Sequence, residues 1–144
     1  MAQAQEFDLE QFLPYRIVQT GEAVSRDFYA YYRREYALTR PEWRVMAHLG
    51  QYGALTARDI CGRAAMHKTK VSRAVAALER RKWLKRRPDD ADNRVEWLSL
   101  TPAGEKAHRR ICGEAARFNE ALLRRLGAKE ARTFIDLLDK LAAR

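Results

Sequence analysis

The sequence predicts a mainly α-helical fold with one small β-hairpin, of the α/β type in which helices flank a single two-stranded element. Three observations predict it. Apolar residues recur at steps of three and four along most of the chain, strand signals occur only between about 83 and 100, and capping residues bracket nearly every helical stretch.

The first helical pattern runs over about 8–35, with Leu13, Ile17, Val24, Phe28 and Tyr31 on one face. Pro14 should separate a short first turn from the main helix, because proline is tolerated at a helix start but not inside. Thr39 and Glu42 form a capping box, so a second helix is expected to start here and end near Gly50. Gln51-Tyr-Gly-Ala-Leu55 reads as a connection. Thr56 is the next N-cap, with Asp59 in the first turn, opening a short helix to about Arg63.

The helix expected over 67–81 places Val71, Ala74, Val75 and Leu78 on one apolar stripe. Its other face carries Thr69, Ser72, Arg73, Ala76 and Arg80, with Lys70 at the flank. Residues 83–87 and 95–100 read as short strands around the turn-forming 88–93. Thr101 and Pro102 then open a long helix seamed by Ala107, Ile111, Ala115, Phe118, Leu122 and Leu126, and Gly127 ends it. A last helix over 128–142 carries Phe134, Leu137, Leu138 and Leu141 on one side. Two strong terminal seams in a small chain point to a subunit interface.

The chain has 144 residues, 47% hydrophobic and 33% charged, as expected for one globular domain. Its formal charge of +9 calls for an anionic partner. The charge is local: over 67–82 the basic residues are Lys68, Lys70, Arg73, Arg80, Arg81 and Lys82, against the single acid Glu79. A helix with small and basic outward residues suits the major groove of duplex DNA, and a hairpin directly after it is a wing. No apolar run spans a bilayer and the opening residues lack a secretory leader, so a cytoplasmic protein without a membrane partner is expected. The two cysteines, Cys61 and Cys112, lack metal-type spacing and read as free thiols. No catalytic motif is present, and no enzyme, cofactor or metal is expected.

Several short motifs, in this order and spacing, resemble the MarR family over nearly the whole chain. They are Leu38-Thr-Arg-Pro-Glu-Trp-Arg-Val-Met46, Val71-Ser-Arg-Ala-Val75, and Asp92-Asn-Arg94 followed by Leu98-Ser-Leu-Thr101 and Gly104. The resemblance implies a winged helix-turn-helix transcription regulator: a homodimer held by helices at 8–36 and 101–144, with a DNA-binding lobe at 39–100. It also implies a small-molecule pocket, and repression of a palindromic operator relieved by a ligand.

On this reading Arg73 takes a guanine edge, and Thr69, Lys70 and Ser72 contact bases or phosphates. His67 and Lys68 stand at the helix start, which favours phosphate, although His67 can equally serve as the cap. Arg94 reaches the minor groove, and the resemblance makes Asp92 the acid that orients it. Arg86, Arg87 and Arg58 are expected on the DNA backbone, while Asp89 and Asp90 read as turn formers. For the ligand, the resemblance points to Tyr15, Arg16, Trp43, Arg44 and His48, a set suited to an aromatic acid or its coenzyme A thioester. Trp43 as plain core and Arg16 as a surface charge stay open beside this. The alternatives are an architectural protein that binds DNA without sequence preference, and a thiol- or metal-responsive regulator using Cys61 or His108 and Cys112, with His48 a further metal ligand.

Overall fold

The computed structural model describes residues 6–143. The opening segment 1–5, part of the stretch read above for a leader, and Arg144, the last residue of the 101–144 assignment, lie outside the described residues. Contacts divide the chain into two compact units, Met1–Thr39 and Arg40–Arg144.

The first unit is a 3-10 turn, Leu9–Gln11, followed by α1, Leu13–Tyr36. Asp8 caps the turn by accepting from the Glu10 N–H at 3.0 Å. The break falls at Phe12, whose extended backbone precedes α1, while Pro14 sits inside the first helical turn, where its missing N–H costs nothing. The C-terminal half of α1 is aromatic. Phe28 stacks on Tyr31 at 5.9 Å between centroids, and Tyr32 meets Phe28 and Tyr29 edge-on at 5.4 and 5.5 Å.

The second unit runs α2 (Arg40–Tyr52), α3 (Ala57–Ala64), α4 (Lys68–Arg80), β1 (Leu84–Pro88), β2 (Glu96–Leu100), α5 (Pro102–Leu126) and α6 (Ala128–Ala142). Helices α2, α3 and α4 pack on one another, the hairpin packs against all three, and α5 lies on α2 and β2 with α6 beside it. The stripe Val71, Ala74, Val75 and Leu78 is buried, as are Val45, Met46 and Leu49 of α2 and Ile60 of α3, the two helices on which α4 packs. Each large side chain taken out of water here contributes roughly 1.5–3 kcal/mol. Fixing that stripe in the core turns the opposite face of α4 outward.

The hairpin is antiparallel, pairing Leu84 with Leu100, Arg86 with Leu98 and Pro88 with Glu96. It gains a third rung from the segment read as a plain connection: Leu55 and Leu98 exchange both backbone hydrogen bonds, at 3.0 and 2.8 Å. The physical reason is burial. Leu55 is in the core, and its backbone groups, removed from water, need partners that no residue near in sequence supplies.

The limits of α5 and α6 fall where capping chemistry places them. The Thr101 hydroxyl accepts from the Gly104 N–H at 3.1 Å, Pro102 opens the helix, and Gly127 at φ 85° joins α5 to α6. Among the described residues α6 buries only Ala131 and leaves Phe134, Ile135, Leu137, Leu138 and Leu141 exposed. No helix among the described residues is long and apolar enough to cross a membrane.

Candidate nucleic-acid interface

α4 starts at Lys68 because His67 is its N-cap: the ring Nδ1 accepts from the Thr69 N–H at 3.2 Å. The two readings of His67 are compatible, since an accepting Nδ1 leaves Nε2–H as an outward donor. Lys68, Thr69, Lys70, Ser72 and Arg73 are all exposed along the first two turns of α4. Beside them lies a recess lined by Thr56, Arg58, Ser72, Arg86, Arg94 and Glu96, among others, where the start of α3, the middle of α4 and the hairpin meet.

The start of α3 is fixed by a capping box: Asp59 N–H donates to the Thr56 hydroxyl at 3.1 Å, and Thr56 N–H donates to the Asp59 carboxylate at 3.0 Å. The Thr56 backbone N–H bond holds the Asp59 carboxyl below its ordinary range, so it stays ionised in the cap. The box leaves the Ala57 and Arg58 N–H groups of the first turn without a partner inside the helix.

In the wing, Arg94 donates to Asp92 through Nε at 3.1 Å and through its backbone N–H at 3.0 Å. The Arg94 hydrogen bond is the main reason the Asp92 carboxyl lies below its ordinary range. The Arg94 side chain is 90% exposed, so the pairing orients the guanidinium without covering it. Arg87 is exposed and 4.0 Å from Asp90.

Two groups were not legible as organisers of this surface. Asp89, read as a turn former, gathers the wing tip. It accepts from the Trp97 indole N–H at 2.9 Å and from the Ala91 and Asp92 backbone N–H groups at 3.1 and 3.0 Å. Arg86, expected on the DNA backbone, bridges Glu79 of α4 at 2.9 Å and Glu96 of β2 at 3.0 Å. Those carboxylates, Glu96 first, raise its pKa further.

The Trp97 indole bond, followed by the two backbone bonds, holds the Asp89 carboxyl below its ordinary range. Its contribution to wing order is therefore complete above the unfolded-chain value near 4 and is lost as pH falls through the lower folded value. With Trp43 and Trp83 replaced by phenylalanine, Trp97 emission is expected to shift to the red in that acidic window, and Asp89→Ala should show the shift at neutral pH. An Asp89→Ala spectrum identical to the parent at neutral pH overturns the assignment.

The residues expected to bind a ligand fall in both units. Tyr15 and Arg16, on α1, line a shallow polar recess with Glu10, Gln11, Gln19 and Thr20. Trp43 stacks on His108 of α5 at 6.2 Å between centroids, and His108 also lies against Gly50, where a Cβ would meet its ring. Arg44 donates to the Ala64 carbonyl at the end of α3, and His48 Nδ1 lies 2.6 Å from the Arg44 carbonyl oxygen. His108 Nε2 and Cys112 Sγ are 3.2 Å apart; burial lowers the imidazole pKa and raises that of the thiol, which disfavours a thiolate. His48 is not brought to this pair by any hydrogen bond, and among the described residues no group of three His, Cys, Asp or Glu is placed to hold an ion. Cys61 is a free, half-buried thiol on α3.

The sequence profile of the MarR family matches residues 38–94, the segment from α2 through β1 to the turn of the wing. The HTH-type transcriptional regulator FarR of Neisseria gonorrhoeae is 26% identical over 88% of this chain and 86% of its own length. The PcaV transcriptional regulator of Streptomyces coelicolor, solved in complex with its natural ligand, superposes with a TM-score of 0.75 at 27% identity, covering 99% of this chain and 97% of its own. Bordetella bronchiseptica BpsR shares the fold at a TM-score of 0.83 and 20% identity, over 96% of this chain and 98% of its own. Family profile, curated relatives and solved neighbours agree with the helix order and the wing, and over residues 38–94 the chain is similar to the MarR family of transcriptional regulators.

Proposed function

We propose that the chain acts as a homodimeric repressor of a near-palindromic operator and is released from it by a small-molecule effector. The observation that carries the reading is the continuous face formed by the outward side of α4, the recess at the start of α3, and Arg94 held by Asp92 in the wing. On this face Arg73, Thr69, Lys70 and Ser72 of α4 enter the major groove. Lys68, the His67 Nε2–H, Arg58 with the α3 N-terminus, and Arg87 take phosphates. Arg94 enters the adjoining minor groove. Arg86 stays with its two carboxylates and fixes the wing against α4.

Dimerisation is supported by the apolar residues that α6 leaves in water, Phe134, Ile135, Leu138 and Leu141, and by Leu13 and Ile17 of α1. Exposed apolar stripes of this kind on two terminal helices mark a protein contact. An effector is supported by the PcaV complex with its natural ligand. Arg16 beside Tyr15 offers a guanidinium that matches a carboxylate or phosphate, in keeping with an aromatic acid or an acyl-coenzyme A.

Selection of bound sequences from random duplex DNA at physiological salt tests the reading. An inverted repeat with half-site centres about ten base pairs apart is expected. Recovery of no motif, with binding that fades smoothly as salt rises, replaces it with architectural DNA binding.

A further inference from the structure

The helix-turn-helix turn is made by only three residues, and one of them is conformationally costly. Ala65 caps α3 in the left-handed region at φ 50°, its N–H returning to the Cys61 carbonyl, and His67 already caps α4. An alanine held there is strained, because its Cβ crowds the following carbonyl, and such a residue persists only where its surroundings over-determine it. α3 itself is short and buries only Ile60 and Ala64. Its C-terminal end is held to α2 by two arginine contacts. The Arg44 guanidinium donates to the Ala64 carbonyl, one of the helix-end acceptors with no partner inside α3, and brings a cation to the negative end of the helix. The Arg63 guanidinium lies 4.3 Å over the Tyr52 ring of α2. α2 is the rigid side of both contacts, because Val45, Met46 and Leu49 anchor it in the core.

We infer that Arg44 is a positioning residue for DNA recognition: it holds the Ala65 turn, and so the angle at which α4 meets the groove. The inference rests on the DNA face proposed above. Arg44 is then not a phosphate contact. Its loss frees the Ala64 carbonyl, relaxes Ala65 toward ordinary backbone angles and lets the first turn of α4, with Lys68, Thr69 and Lys70, tilt away from the bases. The same positive surface remains available to any phosphate backbone.

The experiment measures Arg44→Ala and Arg44→Lys against the selected operator and against random duplex DNA, across a salt series, beside Arg73→Ala. Arg44→Ala is expected to lose about tenfold in operator affinity, on the scale of one mismatched base pair. Random-sequence affinity should change by less than about twofold and the salt slope should stay the same, since no phosphate contact is removed. Arg44→Lys, which keeps a donor and a charge, should recover part of the loss. A variant that is merely less stable would lose both affinities together and leave their ratio untouched, and that outcome overturns the inference. So does wild-type operator binding by Arg44→Ala while Arg73→Ala is impaired. If Arg73→Ala also binds as wild type, the proposed DNA face fails instead. Should Arg44→Ala not fold, the ratio for Arg44→Lys decides alone: an unchanged ratio sinks the inference and a reduced one upholds it.

Discussion

Replacing Arg73 by alanine is expected to weaken operator binding by about 1–3 kcal/mol, roughly five- to 150-fold, and to relax base preference at one position of each half-site. Arg73 stands exposed on α4, next in sequence to the buried pair Ala74 and Val75, so its position is set by their packing while its guanidinium is free for a bidentate base contact. Arg94→Ala is expected to behave differently. It should weaken binding to all sequences alike and lower the salt slope by about one, because a minor-groove and phosphate contact releases a counterion but reads little sequence. Fluorescence anisotropy on the operator and on a scrambled duplex separates the two patterns. Unimpaired binding by both variants would place the DNA face elsewhere.

Gly104→Ala is expected to be the most disruptive single methyl in the chain. A Cβ there would lie 2.1 Å from the Trp83 carbonyl oxygen, a backbone atom that cannot rotate aside. The junction around it is already tied. Trp83 O accepts from the Thr101 N–H at 2.9 Å, and Lys82 O accepts from the Thr101 hydroxyl at 2.7 Å. Lys82 itself is held in the left-handed region at φ 62°. Either α5 or the root of the wing must move, at a cost of about 2–3 kcal/mol and a fall in Tm of roughly 5–10 °C. Gly113→Ala on the same helix is the control. Nothing lies within 4 Å of a Cβ there, and the better helix propensity of alanine should raise stability by about 0.5–1 kcal/mol. Equal melting temperatures for the two variants would refute the account of Gly104.

The Gly104 contact also gives the motif from Leu98 to Gly104 a physical meaning. Leu98 and Leu100 are buried on the inner side of β2, Thr101 caps α5, and Gly104 lets the helix pass over the chain that enters β1. Only the cap was readable from the sequence as a mechanism. The other two require knowing what lies opposite.

The same division holds through the protein. Features set by residues within about four positions of one another were legible: the Thr56 and Thr101 caps, the end of α5 at Gly127, the limits of α6, and the apolar stripe that turns Arg73 outward. Helix caps and helical faces are local hydrogen bonds and local periodicity, and the sequence carries both in full. What only tertiary structure decided are partners distant along the chain. Leu55 completes the sheet at Leu98, Glu79 and Glu96 share Arg86, Asp89 takes the Trp97 indole, and Arg44 closes the end of α3. A long polar side chain can satisfy its donors in many ways, and its spacing in sequence does not select among them. The choice is made by which carbonyl or carboxylate the packed core brings within reach, and that is a property of the assembled fold.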